Sequence, residues 1–250
     1  MVTYLFQFLT MTLALLTNFW VEKLVMEAKS GFTFKRVREQ MVEMLLEMGI
    51  KDFRVLDAMS QIARHQFLDE AFWSRAYENR SLTIGYKQTI SQPYIVARMT
   101  ELLIEKASGR GKIFKKIIDI GSGSGYQSAI LSFFAEEVVG IERIKPLVSK
   151  SRSTLLNLGI KNVSIINGDG YVLDGLKNVD GMICAAAPPE IPEDLIKLLK
   201  KDARLILPVG FKGMQKLICI EKHNKNSYEK FEVEDVAFVP MLGGISRNYD

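Results

Sequence analysis

Residues 117–131 read IIDIGSGSGYQSAIL. The run KKIIDIG that ends at Gly121 is short, apolar and β-branched, which predicts a buried strand. Gly121-Ser122-Gly123-Ser124-Gly125 follows it, and a helical pattern then runs from Tyr126 to Ala135. A strand that leads through a glycine-rich turn into a helix is the start of a βαβ unit. Downstream the alternation continues: VVGIE (138–142), LVSKSRSTLLNLG (147–159), VSIINGD (163–169), DGMICAA (180–186), PEDLIKLLKK (192–201) and RLILPVG (204–210). Strands and helices at this spacing predict a mainly parallel sheet. After Gly213 the alternation stops, and KLICIEK and YEKFEVEDVAFVPM, joined by the polar HNKNS, predict an antiparallel hairpin at the sheet edge. The fold class is α/β, doubly wound, with an antiparallel C-terminal hairpin and a helical N-terminal addition.

Upstream, apolar residues at Val37, Met41, Met44, Leu45 and Met48 recur at helical spacing, and Gly49 stops that helix. Val55–Ile62 reads as a second short helix, and 65–92 as an ordered loop region. Pro93 opens a further helix through YIVARMTELLIEKA, ending near Ser108-Gly109. Met1 to Val21 carries no charge, and Glu22 is the first charged residue. Three readings stand equally for this part of the chain: a membrane anchor, a packing helix, or a false start before Met26. The expected organisation is therefore 1–33 as an uncharged segment and linker, and 34–250 as one domain.

The 250 residues are 48% hydrophobic and 25% charged, with a net charge of +4. That balance excludes a disordered chain and a multi-span membrane protein. It offers no basic stripe for nucleic acid. Cys184 and Cys219 are the only cysteines and both sit in apolar runs, so neither a disulfide framework nor a CxxC metal site is expected. A reducing, cytoplasmic setting follows from that usage, with contact to a membrane left open through 1–21.

In doubly wound sheets the ligand lies at the carboxyl ends of the strands. The stretch Asp119 to Gly125 occupies the first such end, and its glycines permit a tight turn and close approach of a ligand to bare backbone N–H groups at a helix start. A dinucleotide fingerprint would put its last glycine at position 126, which is Tyr, so a ligand without a pyrophosphate is expected. Glu142 ends the second strand, where a carboxylate grips a ribose diol. Asp169 ends the third, placed to accept from an adenine amine. Three elements at three successive strand ends point to a nucleoside.

LDAMSQIARHQF (56–67), LTIGYKQTISQPYIVARM (82–99), IIDIGSGSGYQSAIL, GIERI, LGIKNV, GDG and FVP resemble the protein-L-isoaspartate O-methyltransferase family. The glycine turn and Glu142 are common to Rossmann-like methyltransferases, whereas QTISQPYIVA is specific to isoaspartyl repair. The resemblance implies S-adenosyl-L-methionine as cofactor, held at Asp119, Gly121, Ser122, Gly123, Gly125, Gln127, Glu142 and Asp169. It implies Ser91 at the reacting centre and substrate contacts at Thr89, Arg64 and His65. Isoaspartyl-containing proteins and peptides are the implied partners, and a monomer is favoured. The chain departs from the usual pattern at Ile62-Ala63 in place of Val-Pro, Thr83 in place of Pro, Lys87 in place of Gly, and Cys184 in place of Thr or Ser. Competing readings are a methyltransferase with another acceptor and a noncatalytic nucleoside-binding module.

By pattern alone Ser91, two residues before Pro93, reads as a helix N-cap; the resemblance makes it the group that orients the acceptor carboxylate. For Arg64, a carboxylate contact and a surface or ion-paired role stand side by side. His65 reads as a structural hydrogen-bonding residue.

Overall fold

A computed structural model describes residues 34–225 and 227–246. The readings placed on residues 1–33 lie outside the described residues. Helix α1 spans 34–47, and Gly49 (φ +98°) turns the chain where an L side chain is strained. Helix α2 (Phe53–Gln61) starts at an N-cap, Asp52, whose carboxylate accepts from Arg54 N–H. The Arg54 guanidinium then donates to the carbonyls of Ala107 (2.8 Å) and Gly109 (2.9 Å), beyond the end of α3 (Pro93–Ile104). Glu101 of α3 accepts from the N–H groups of Lys51 and Asp52 in return. Two polar side chains thus hold α2 against α3.

Between these helices the sequence predicts only ordered loop. The structure instead has two short 3-10 turns, Arg64–Phe67 and Glu70–Arg75, and a hairpin of β1 (Leu82–Gly85) and β2 (Gln88–Ile90). The hairpin turn puts Tyr86 and Lys87 at φ +54° each. Such turns ordinarily announce themselves by Asn-Gly or Asp-Gly, and Tyr-Lys carries no such signal.

The main sheet has seven strands in the order β5-β4-β3-β6-β7-β8-β9. These are β3 (Phe114–Ile120), β4 (Ala135–Glu142), β5 (Val163–Asn167), β6 (Val179–Cys184), β7 (Leu199–Val209), β8 (Gln215–Asn224) and β9 (Ser227–Val236). From β5 through β7 all neighbours are parallel; β8-β9 form the expected antiparallel hairpin, and β7-β8 pair antiparallel as well. Connecting helices are α4 (Tyr126–Leu131), α5 (Lys145–Asn157) and α6 (Glu193–Leu198). The order reverses at β3, with β4 on one side and β6 on the other. That reversal opens a crevice above Ile120, where doubly wound sheets bind ligands.

α3 ends at Ile104, short of the expected Ser108, and two further helices are shorter than their patterns suggest. α4 stops at Leu131 because the next residues are claimed by neighbours: Asn162 donates to the carbonyls of Ser132 and Ala135, and Phe114 N–H to that of Phe134. In PEDLIKLLKK the helix ends at Leu198, and Leu199 already pairs with Val179 of β6. Strand pairing overrides good helix formers there. The apolar core fills with Ile118, Ile120, Val139, Met182, Leu205, Leu207 and Ile220, all buried. Cys184 and Cys219 are buried free thiols, pushed up by burial to about 12 and about 11.

Candidate active site

Three glycines of the turn after β3 lie in the left-handed region: Gly121 at φ +73°, Gly123 at +50° and Gly125 at +87°. Space is short as well. A Cβ on Gly125 would stand 3.2 Å from Ser151 Cβ, and one on Gly123 would stand 3.2 Å from Ile84 of the hairpin. The expectation that the turn offers bare N–H groups is not met for four of its residues. Gly121 and Ser122 both donate to Ile141 O (2.8 and 3.2 Å), Gly125 to Ser122 O (2.8 Å), and Gly123 to Glu142 Oε2 (2.9 Å). Residues of β4, the next strand, consume three of those donors. What these residues leave for a ligand is smooth backbone surface and acceptors, which suits hydroxyls and a cation better than a phosphate.

Glu142 ends β4 and is 5% exposed. Its Oε1 accepts from Ile144 N–H at 2.8 Å, and Oε2 from Gly123 N–H. Each oxygen keeps a second acceptor site, enough for two vicinal hydroxyls. Burial raises its pKa, and the backbone donors oppose that shift. Ser122 Oγ is buried beside it without a hydrogen-bond partner, a polar atom suited to a ligand group.

Asp119 stands below the turn, fully buried, with Ser128 Oγ on its Oδ2 and no partner on Oδ1. Burial, reinforced by the Glu142 charge, pushes it up to about 7, with the Ser128 hydrogen bond pulling the other way. Between about pH 4 and about pH 7 the unfolded chain loses this proton and the folded chain keeps it. Stability therefore falls as pH rises through that window, and the cost vanishes at lower pH, where both states are protonated. In the Asp119→Asn variant that slope should disappear. Relative to wild type, the variant should gain on the order of 2–4 kcal/mol between pH 4 and 8 in chemical denaturation. A pH-independent difference would mean that Asp119 is already ionised in the folded protein.

The crevice is a cleft of ≈ 880 Å³, solvent at its mouth included. Of the residues singled out by sequence, Thr89, Ser91, Gly121, Ser122, Gly123, Gln127 and Glu142 line it together. Gln127 is steadied by a 2.9 Å bond to Thr100 Oγ1. Ser91 does not cap the helix: the N-cap of α3 is Gln92, with no side-chain cap bond.

Asp119, Gly125, Asp169, Arg64 and His65 are not on the lining. Asp169 is flanked by Gly168 and Gly170, which are, but its carboxylate accepts from the N–H groups of Tyr171 (2.9 Å) and Gly244 (2.5 Å). Arg64 is neither at the surface nor ion-paired. Its Nε donates to Ala76 O (2.8 Å), its guanidinium lies 4.9 Å from the centre of the Tyr126 ring, and burial lowers its pKa to about 10. His65 is tied to the Tyr77 hydroxyl (2.7 Å) and Gln66 (3.0 Å) and stands edge-on to Trp73.

The floor tolerates little added volume. A Cβ on Gly140 of β4 would fall 2.4 Å from Ile165 Cδ1 and 2.9 Å from Ser122 Cβ. Gly140→Ala should therefore displace the glycine turn and destabilise the fold by about 1–3 kcal/mol. A denaturation midpoint equal to wild type would show that Ser122 shifts freely.

A model of the family described as protein-L-isoaspartate(D-aspartate) O-methyltransferase matches residues 35–246. The chain belongs to this family. It is 43% identical over 217 residues to the protein-L-isoaspartate O-methyltransferase of Halorhodospira halophila, covering 86% of this chain and 95% of that one. With the enzyme of the same name from Methylobacillus flagellatus the identity is 44% over 219 residues, with 86% and 95% covered. A Plasmodium falciparum crystal structure assigned to the same family, in complex with S-adenosyl-L-homocysteine, superposes with a TM-score of 0.71 at 28% identity, covering 82% of this chain and 98% of that one. The cleft wall that sequence reasoning missed is the C-terminal run Val239-Pro240-Met241-Leu242, together with Gln88, Ile90 and Arg143. The C-terminal run had one visible signal, the family-like tripeptide FVP just past the end of β9, while Gln88, Ile90 and Arg143 lie within QTISQ and GIERI.

Proposed function

We propose that the cleft transfers a methyl group to the free carboxylate of isoaspartyl residues with Ser91 orienting the acceptor and Glu142 holding the cofactor ribose. The family activity is S-adenosylmethionine-dependent methylation of damaged, isoaspartyl-containing proteins, the first step of their repair. The single observation that carries the assignment of roles is that Thr89 and Ser91 share one cleft with Gly121, Ser122, Gly123 and Glu142. The acceptor half and the nucleoside half of the site face each other.

When bound, S-adenosylmethionine supplies an electrophilic methyl group on a sulfonium. The residues present suit it: Glu142 has acceptor capacity for a ribose diol, and buried Ser122 Oγ lacks a partner. An α-carboxyl group has a reference pKa of about 3.3–3.7, so the nucleophile is ionised at neutral pH and needs no general base. What the protein supplies is alignment and exclusion of water. Ser91 suits that task, since one neutral hydrogen bond fixes the direction of a carboxylate without quenching it. In this reading Arg64 supports the lining residue Tyr126 from behind, and His65, bonded to Tyr77, is structural.

A methyl-transfer assay with labelled cofactor on paired isoaspartyl and aspartyl peptides of one sequence tests this reading. Transfer to the isoaspartyl peptide alone is expected. Equal transfer to both would overturn the acceptor assignment, and none to either would overturn the catalytic one.

The remaining parts of the reading are a cytoplasmic monomer that does not bind nucleic acid. The two free, buried cysteines support the cytoplasmic setting, and a net charge of only +4 with no basic stripe supports the lack of a nucleic-acid partner. No helix among the described residues is long and apolar enough to cross a membrane.

A further inference from the structure

The chain leaves β9, runs past the cleft as Val239-Pro240-Met241-Leu242, and continues as a strap to Ser246. Its first part is anchored. Ala187 N–H donates to Val239 O and Met241 N–H to Ala187 O (2.8 Å each), and Met241 is 7% exposed. The second part is held differently. Leu242 and Ile245 are 53% and 51% exposed, so burial of these apolar side chains does little to keep 242–246 in place.

Polar bonds hold it instead, and those to Gly243, Gly244 and Ser246 N–H among the described residues converge on two residues. Arg143 donates from Nε to Gly244 O (2.9 Å) and from Nη2 to Gly243 O (3.2 Å), and its own carbonyl accepts from Ser246 N–H (3.0 Å). Asp169 Oδ2 accepts from Gly244 N–H at 2.5 Å. Arg143 follows the ribose-binding Glu142, and Asp169 lies between two glycines of the cleft wall. A segment with few buried contacts and a cluster of exposed hydrogen bonds opens locally at low cost.

We infer that Arg143 and Asp169 are positioning residues that latch the strap 242–246 beside the nucleoside end of the cleft and so set the rate at which the nucleoside product leaves. This rests on the cleft being the cofactor site. One oxygen of Asp169 holds its own turn through Tyr171 N–H and the other holds the strap through Gly244 N–H, so the strap is gripped from the strand ends that carry the cofactor acids. Opening the latch breaks the bonds to Gly243, Gly244 and Ser246 together and leaves Met241 as the hinge. The glycine turn and Ser91 take no part in that motion, so it changes exchange and not chemistry.

The test separates release from chemistry. Gly244 sits at φ +72°, and a Cβ there meets no atom within 4 Å. Gly244→Ala therefore strains the latched backbone without touching the cleft. Dissociation of labelled S-adenosyl-L-homocysteine should quicken at least about fivefold, while the single-turnover rate of methyl transfer stays within about twofold. Arg143→Gln, which removes the guanidinium from the latch at the cleft wall, should quicken release as well. The double variant should release no faster than the faster single one, because both changes open the same latch.

Unchanged release in folded Gly244→Ala overturns the inference. So does a single-turnover rate that falls with release unaltered, which would make the strap part of substrate alignment. Multiplying effects in the double variant would also overturn it. Failure of the wild-type protein to bind S-adenosyl-L-homocysteine would overturn the cofactor reading and the latch with it; normal binding with unaltered release overturns the latch alone.

Discussion

Ser91→Ala should lower methyl transfer to an isoaspartyl peptide by more than about tenfold while leaving the melting temperature essentially where it is. The substitution deletes one hydrogen-bond donor from the cleft wall and leaves the cofactor's turn untouched. Sequence pattern alone favours a second outcome, in which a lost N-cap costs about 1 kcal/mol of stability and turnover per folded molecule survives. The structure separates the two, since the capping position of α3 belongs to Gln92 and no side chain bonds there. Turnover and melting temperature measured on one preparation decide the matter. An unstable but fully competent variant would sink the catalytic role of Ser91.

Glu142→Gln should weaken cofactor binding by about 1–3 kcal/mol, or roughly five- to 150-fold in Kd. Two losses combine. The charge-assisted bonds to the ribose hydroxyls become neutral. In addition, the carboxylate now receives Gly123 N–H on one oxygen and Ile144 N–H on the other, and an amide offers only one oxygen. Its NH2 group would face one of those donors head-on and push the glycine turn or the start of α5 away. Calorimetric titration with S-adenosyl-L-homocysteine reads the effect, and an unchanged Kd would remove Glu142 from the ribose site.

The parallel half of the sheet was legible because β3, β4, β5 and β7 each carry an apolar run that closes on a glycine or an acid, at Gly121, Glu142, Gly168 and Gly210. The acids at those ends were legible for the same reason. Less visible was what the acids do. A strand-end position says that Glu142 and Asp169 stand near the ligand, but not where their oxygens point. Glu142 turns inward onto the glycine turn, and Asp169 turns to a loop 75 residues further on. Such pairings join distant parts of the chain and leave no local periodicity to read. The hairpin over Gly123 was hidden because the left-handed turn at Tyr86-Lys87 lacks the residues that usually signal it. Arg64 shows the same limit from the other side. A guanidinium in the sequence suggests a surface or an ion pair, yet this one is wholly enclosed beneath an aromatic ring.

The strand pair β4-β5 ends on a bond pattern with a chemical consequence of its own. Asn167 is followed by Gly168, a dipeptide prone to the ageing reaction whose isoaspartyl product is this family's substrate. That reaction begins when the glycine nitrogen attacks the asparagine side-chain carbonyl, closing a succinimide ring and expelling ammonia. Here both participants are occupied: Gly168 N–H and Asn167 Nδ2 each donate to the main-chain carbonyl of Glu142, at 3.0 and 2.9 Å. Ring closure would require the nucleophile and the leaving amide to abandon one shared acceptor, and Asn167 to leave its pairing with Glu142 at the end of β5. A Cβ on the flanking Gly170 would meet Ile120 at 2.5 Å, so the wall around this dipeptide has little room to rearrange. The folded cleft thereby shields a damage-prone dipeptide in its own wall from the lesion the enzyme corrects in other proteins.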